Sequence, residues 1–98
     1  MAAAEFGLPA DFAVVTTTYI TVERLPIKQV SHGVDDEGTA VWQFHADNGD
    51  YDPSVLQLVS LAQILALDPE LVALAGLSVG FQARRSAVGA PWIIEPDD

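Results

Sequence analysis

From residue 55 to 77 the chain reads "VLQLVSLAQILALDPELVALAGL", its longest apolar run. Its length is that of a membrane span. Asp68, Pro69 and Glu70 sit in its middle, and a charge at the bilayer centre costs several kcal/mol. The run therefore reads as two short helices on either side of a break. Ser60 with Gln63 three residues on makes a capping box, and Leu61, Ile64 and Leu65 share one helical face. Asp68 followed by Pro69 opens a second helix, with Leu71, Leu74 and Ala75 inward and Gly76 as a left-handed closing residue. The two helices, about 60–67 and 69–75, are too short to persist alone and must dock on something else.

That support is a sheet. "FAVVTTTYITV" (12–22) is rich in β-branched and aromatic residues and reads as a first strand. "PIKQVSH" (26–32) and the alternating "AVWQFHA" (40–46) follow, separated by the turn cluster "GVDDEGT". "DNGDYDPS" (47–54) is loop chemistry, "SVGFQARR" (78–85) returns to strand, and "WIIE" (92–95) ends the pattern. The expectation is an α+β domain: a mostly antiparallel sheet of about five strands, with both helices on one face. Ninety-eight residues allow a single domain, 1–98, with an ordered core over about 12–95 and flexible ends at 1–10 and 96–98. A chain of this size buries roughly 65% of the surface it exposes when unfolded, which is enough to fold without staples.

Charge narrows the function. The net charge is −10, and Arg24, Lys28, Arg84 and Arg85 are the whole cationic complement. No nucleic-acid partner is expected from so few cations, and anionic membranes are disfavoured by the same repulsion. A basic protein is the partner such a field would steer. Cysteine is absent, which removes disulfides and thiolate metal sites. The opening "MAAAEFGLPADF" has no basic n-region or long apolar stretch, so a soluble, cytoplasmic chain is expected.

Both histidines, His32 and His45, flank the acidic turn. If Asp36 and Glu37 are central in a hairpin, His32 faces Val41 and His45 lies on the same face about 13 Å further along. A one-residue slip sends His45 to the other face. Neither register brings two imidazoles to one ion, which needs N–metal bonds near 2.0 Å. The expectation is a surface histidine on a half-exposed strand, and no metal or cofactor. Trp42 and Phe44 share a face and read as core, while Trp92 reads as a cap on a sheet edge. "DDEG" and "DNGDYD" lack the ligand pattern of an EF-hand. Carboxylates in wet turns are poor candidates for glycosidic acid–base work. "TTT" lacks a nucleophile elbow, and Lys28 lacks a phosphate-cradling glycine pattern. In "VGFQARR", alternation puts Phe81, Ala83 and Arg85 on one face and Gln82 and Arg84 on the other.

"VVTTTYI", "LPIKQVSH", "VWQFHADNG", "LVSLAQILALDPELVALAGLSVGFQARR" and "PW", taken in order over about residues 13–92, resemble a bacterial domain family of unknown function. That family is grouped with predicted immunity proteins of polymorphic toxin systems. Here "GTAVWQF" carries extra residues between Gly38 and Trp42, which departs from the family's tighter hairpin. The shared motifs are structural, so the resemblance implies a small α+β domain that blocks a toxin and supplies no active-site residue.

The expected function is therefore a non-catalytic, acidic protein-binding domain. Its expected contact surface is Asp35, Asp36, Glu37, Asp47, Asp50, Tyr51 and Asp52, where acids around an aromatic suit a basic partner. Two other classes stay open: a housekeeping module that self-associates as a homodimer, and a small metal-binding protein or enzyme.

Overall fold

Phe44 is fully buried near the C-terminal end of β3 (Ala40–His45), and the rest of the fold is arranged around that strand. The structure is a computed structural model and describes residues 6–49 and 52–97. β3 pairs antiparallel with β2 (Gln29–Val34) and parallel with β1 (Ala13–Thr17). β1 carries β4 (Leu56–Ser60) on its other side, and β2 carries β5 (Phe81–Arg84), which pairs with β6 (Ile93–Pro96). The result is a six-stranded mixed sheet in the order β4-β1-β3-β2-β5-β6. The α+β class is as expected, with one strand more than the five anticipated.

Alternation sorts the sheet into two faces. Val14, Val30, Trp42, Phe44 and Ala83 point to one side, where Leu61, Ile64 and Leu65 of α2 (Leu61–Leu67) close over them. Leu71 and Leu74 from the 3-10 helix Pro69–Leu74 complete that layer. Across the opposite face runs a polar row. Gln29 Nε2 donates to Gln82 Oε1 at 2.7 Å, and Gln82 Nε2 donates to Glu95 Oε1 at 3.3 Å. Among the described residues no helix is long and apolar enough to cross a membrane.

Three expectations need correction. The first strand stops at Thr17, and Thr18–Thr21 form a single helical turn, α1, closed by a 2.8 Å bond from the Val22 N–H to the Thr18 carbonyl. This turn buries Ile20 in the core, a gain that overrides the β-propensity of "TTTYI". The second helix is 3-10 rather than α. Gly76 is not left-handed: the Leu77 N–H bonds to the Leu74 carbonyl at 2.9 Å, and the continued turn tucks Leu77 into the core. Phe6, Leu8 and Ala10 pack on the core, with Phe6 edge-on to Trp42 at 5.0 Å. Pro96 belongs to β6, and the Asp97 N–H bonds to the Gly80 carbonyl at 2.8 Å.

The capping box stands as the sequence implies. Ser60 Oγ accepts from the Gln63 N–H at 3.1 Å, and Gln63 Oε1 accepts from the Ser60 N–H at 2.9 Å. Asp68 caps the 3-10 helix by accepting from the Glu70 N–H at 3.0 Å.

Candidate binding surface

The acidic residues sit in two loops whose backbones are tied down locally. In the β2–β3 turn, Asp35 Oδ1 accepts from the N–H groups of Glu37 and Thr39, both at 2.9 Å. Gly38, at φ 81°, supplies the left-handed step that reverses the chain. Asp36 and Glu37 are left exposed at the tip. Beyond the other end of β3, Asp47 lies 3.1 Å from Arg84 Nη2. Asp52 accepts from the Ser54 N–H at 2.9 Å, and that bond holds its carboxyl below the usual range. Asp50 and Tyr51 lie outside the described residues. With β3 between them, the two loops are about 20 Å apart at ~3.4 Å per residue. Of the residues expected to form one contact surface, the five that are described therefore divide between opposite ends of the sheet: Asp35, Asp36 and Glu37 at one, Asp47 and Asp52 at the other.

The cations do not divide. Arg24 follows α1 at the C-terminal end of β1, Lys28 immediately precedes β2, and Arg84 and Arg85 stand where β5 ends. In this register all four lie at the end of the sheet that holds Asp47 and Asp52. The hairpin end carries Asp35, Asp36 and Glu37, with Asp11 just before β1 and Asp97 just after β6. No ion pair forms there among the described residues.

Beside those acids is an apolar patch that sequence reasoning did not pick out. Val34, Phe81 and Ile94 point to the helix-covered side of the sheet, yet they are 53%, 37% and 57% exposed, because the helical layer ends at Leu77. Val79, in the turn before β5, is half exposed. Phe81 and Ile94 line a cavity of about 420 Å³ together with Leu74 and Leu77. The available signal was Phe81 on the core-facing phase of a strand too short to be covered at its start.

The histidines serve the fold. His32 pairs with Trp42 across β2 and β3, the second of the two registers considered. Its ring stacks on the indole at 4.0 Å, and Nδ1 donates to the Leu77 carbonyl at 2.7 Å. His45 lies on the opposite face and is only 5% exposed, which corrects the expectation of a surface histidine. Its Nε2 is 3.0 Å from Gln43 Oε1. Burial pushes its pKa below the ordinary value, with the Asp47 carboxylate pulling partly the other way. Among the described residues no group of three or more metal-ligating side chains converges.

Arg85 is the other buried ion. Its guanidinium donates to the Ile27 carbonyl from Nε at 3.1 Å and from Nη2 at 2.9 Å. It also pairs with Asp68, reaches Glu70 at 3.3 Å, and lies 4.2 Å from the centre of the Trp92 ring. Trp92 is thus a lid on Arg85. A cavity of about 620 Å³ opens beside this cluster, walled by Ile20, Leu25, Pro26 and Leu67. Comparisons with family models, curated proteins and solved structures give no match to this chain.

Proposed function

We propose that this chain is a non-catalytic binding domain that docks a basic protein on the hairpin end of its sheet. The patch of Val34, Val79, Phe81 and Ile94 is the centre of the contact. Asp35, Asp36, Glu37 and Asp97 are its rim. An apolar centre inside a charged rim is the anatomy of a protein interface, and a rim of one sign selects partners of the other. The observation that carries the reading is the segregation of charge: the lysine and arginines lie at the far end, and among the described residues no ion pair neutralises the rim carboxylates. The resemblance to immunity-protein domains adds a partner class, a basic bacterial toxin met in the cytoplasm. Asp47 and Asp52, engaged with Arg84 and with the Ser54 turn, drop out of the contact set.

The test is titration against basic toxin domains encoded beside the gene, repeated over a salt series. Binding that weakens with salt, and that falls about tenfold or more in Phe81→Ser and in Asp36→Lys with Glu37→Lys, supports the reading. Asp52→Asn leaves it unchanged. Salt-insensitive binding, or loss of binding only on changes at the Asp47 end, refutes it.

A further inference from the structure

The two edges of the sheet are built differently. β6 is short, contains Glu95, ends in Pro96, and is followed by Asp97. Proline and charge are the devices that keep a sheet edge from pairing with another chain. β4 has none of them along its length. Its sequence is "LQLVS", and from Pro53 to Leu67 the chain holds no Asp, Glu, Lys, Arg or His. Among the described residues only β1 pairs with β4, so its outer row of backbone N–H and C=O groups faces away from the sheet. Leu58 is 70% exposed and Leu56 is 41% exposed, both on the face opposite the core. With Val15 and Gln57 they line a cavity of about 260 Å³ at that edge.

We propose that β4 is a homodimer edge, at which a second copy of this chain adds its own β4 antiparallel and extends the sheet across a two-fold axis. The choice of a second copy over a foreign strand rests on charge. A net charge of −10 opposes association of like molecules, and β4 with α2 is a surface that adds no charge of its own to that repulsion. The strand is also self-complementary. Centred on the dyad, Leu58 faces Leu58 of the second copy at about 5 Å, Gln57 faces Val59, and Leu56 faces Ser60. A ladder of backbone bonds then satisfies both edges, and the Leu58 side chains cover one another. This surface is at the opposite edge of the sheet from β6 and from the Phe81 patch, so it goes beyond the binding reading above and stands independently of it.

Sedimentation equilibrium of the full chain over a wide concentration series, at low and high salt, tests the proposal. The expected result is a shift from one chain to two as concentration rises, strengthened by salt because the net charge is screened. Leu58→Lys and Leu56→Lys, on exposed side chains that leave the core intact, each hold the protein monomeric. Hydrogen exchange of the β4 amides slows on dimerisation in the wild type and not in those variants. Phe81→Ser dimerises as the wild type does, which separates this result from any failure of the toxin-binding reading. A wild type that stays monomeric throughout, with the β4 edge then left for a partner strand, overturns the proposal. A dimer that survives both lysine substitutions overturns it equally.

Discussion

Alternation puts Arg85 on the strand face of Phe81 and Ala83, and the sequence shows that much. What it does not show is the neutralising shell: Asp68, Glu70, the Ile27 carbonyl and the Trp92 face reach Arg85 from segments far apart in the chain. Removing one member of a buried pair strands the other, so Arg85→Ala is expected to cost about 3 kcal/mol. Arg85→Lys recovers little, because an ammonium cannot fork to the carbonyl and carboxylate while lying flat on an indole. Arg84→Ala, at an exposed pair, costs under about 1 kcal/mol. Urea denaturation of the three variants checks the order. His45 was equally hard to place, since its burial depends on the residues that close over the far face of β3. Its neutral ring is the buried form, and its folded pKa lies below the ordinary value near 6.5. Between those two values the unfolded chain binds more protons, so the stability contributed by neutral His45 is complete above about pH 6.5 and is lost as pH falls through the folded pKa. The unfolding midpoint should decline from about pH 7.5 to 5.5, before the carboxylates titrate, and His45→Gln should flatten that slope.

At the scale of elements, signals that act within a few residues were legible and those that act between segments were not. Ser60 and Gln63 form their box because each satisfies the other's backbone, whatever the rest of the chain does. Ser60→Ala is accordingly expected to lower stability by about 1 kcal/mol, read as a lower thermal midpoint with α2 still formed. The Asp68–Pro69 start is legible for the same reason, although the turn that follows winds as 3-10. β4 is not legible in the sequence because its leucines break the usual rule. Leu56 and Leu58 alternate correctly for a strand but point away from the core, so their pattern merged with the helix behind it. β1 was overrun at its C-terminal end because β-branched residues do not reveal that burying Ile20 rewards a helical turn. The candidate site suffered the same way. The acids of the β2–β3 turn could be named from sequence, but their separation from Asp47 and Asp52 follows from the length of β3, and the Phe81 patch from where the helical layer stops.

Over the whole molecule, charge and stability pull against each other. The fold places Asp11, Asp35, Asp36, Glu37 and Asp97 at one end and all four cations at the other, an arrangement that folding alone does not favour, since like charges at one end repel. Asp35 contributes to the turn through its two backbone bonds, but Asp36 and Glu37 have no such part in it. Their cost is therefore uncompensated unless a partner brings the opposite charge. Asp36→Asn combined with Glu37→Gln should then raise the thermal midpoint at low salt, by about 2 °C, because repulsion is removed and no native bond is lost. The gain should vanish at high salt, where the Debye length falls to about 3 Å and the wild-type carboxylates no longer feel one another. The same double substitution should weaken docking of a basic partner. More stability with less binding from one pair of changes is the signature of residues kept for contact rather than for the fold. If the midpoint instead falls, or does not depend on salt, the carboxylates at the turn stabilise the fold and the hairpin end loses its standing as the docking surface. Thermal melts of the two proteins across a salt series decide between these outcomes.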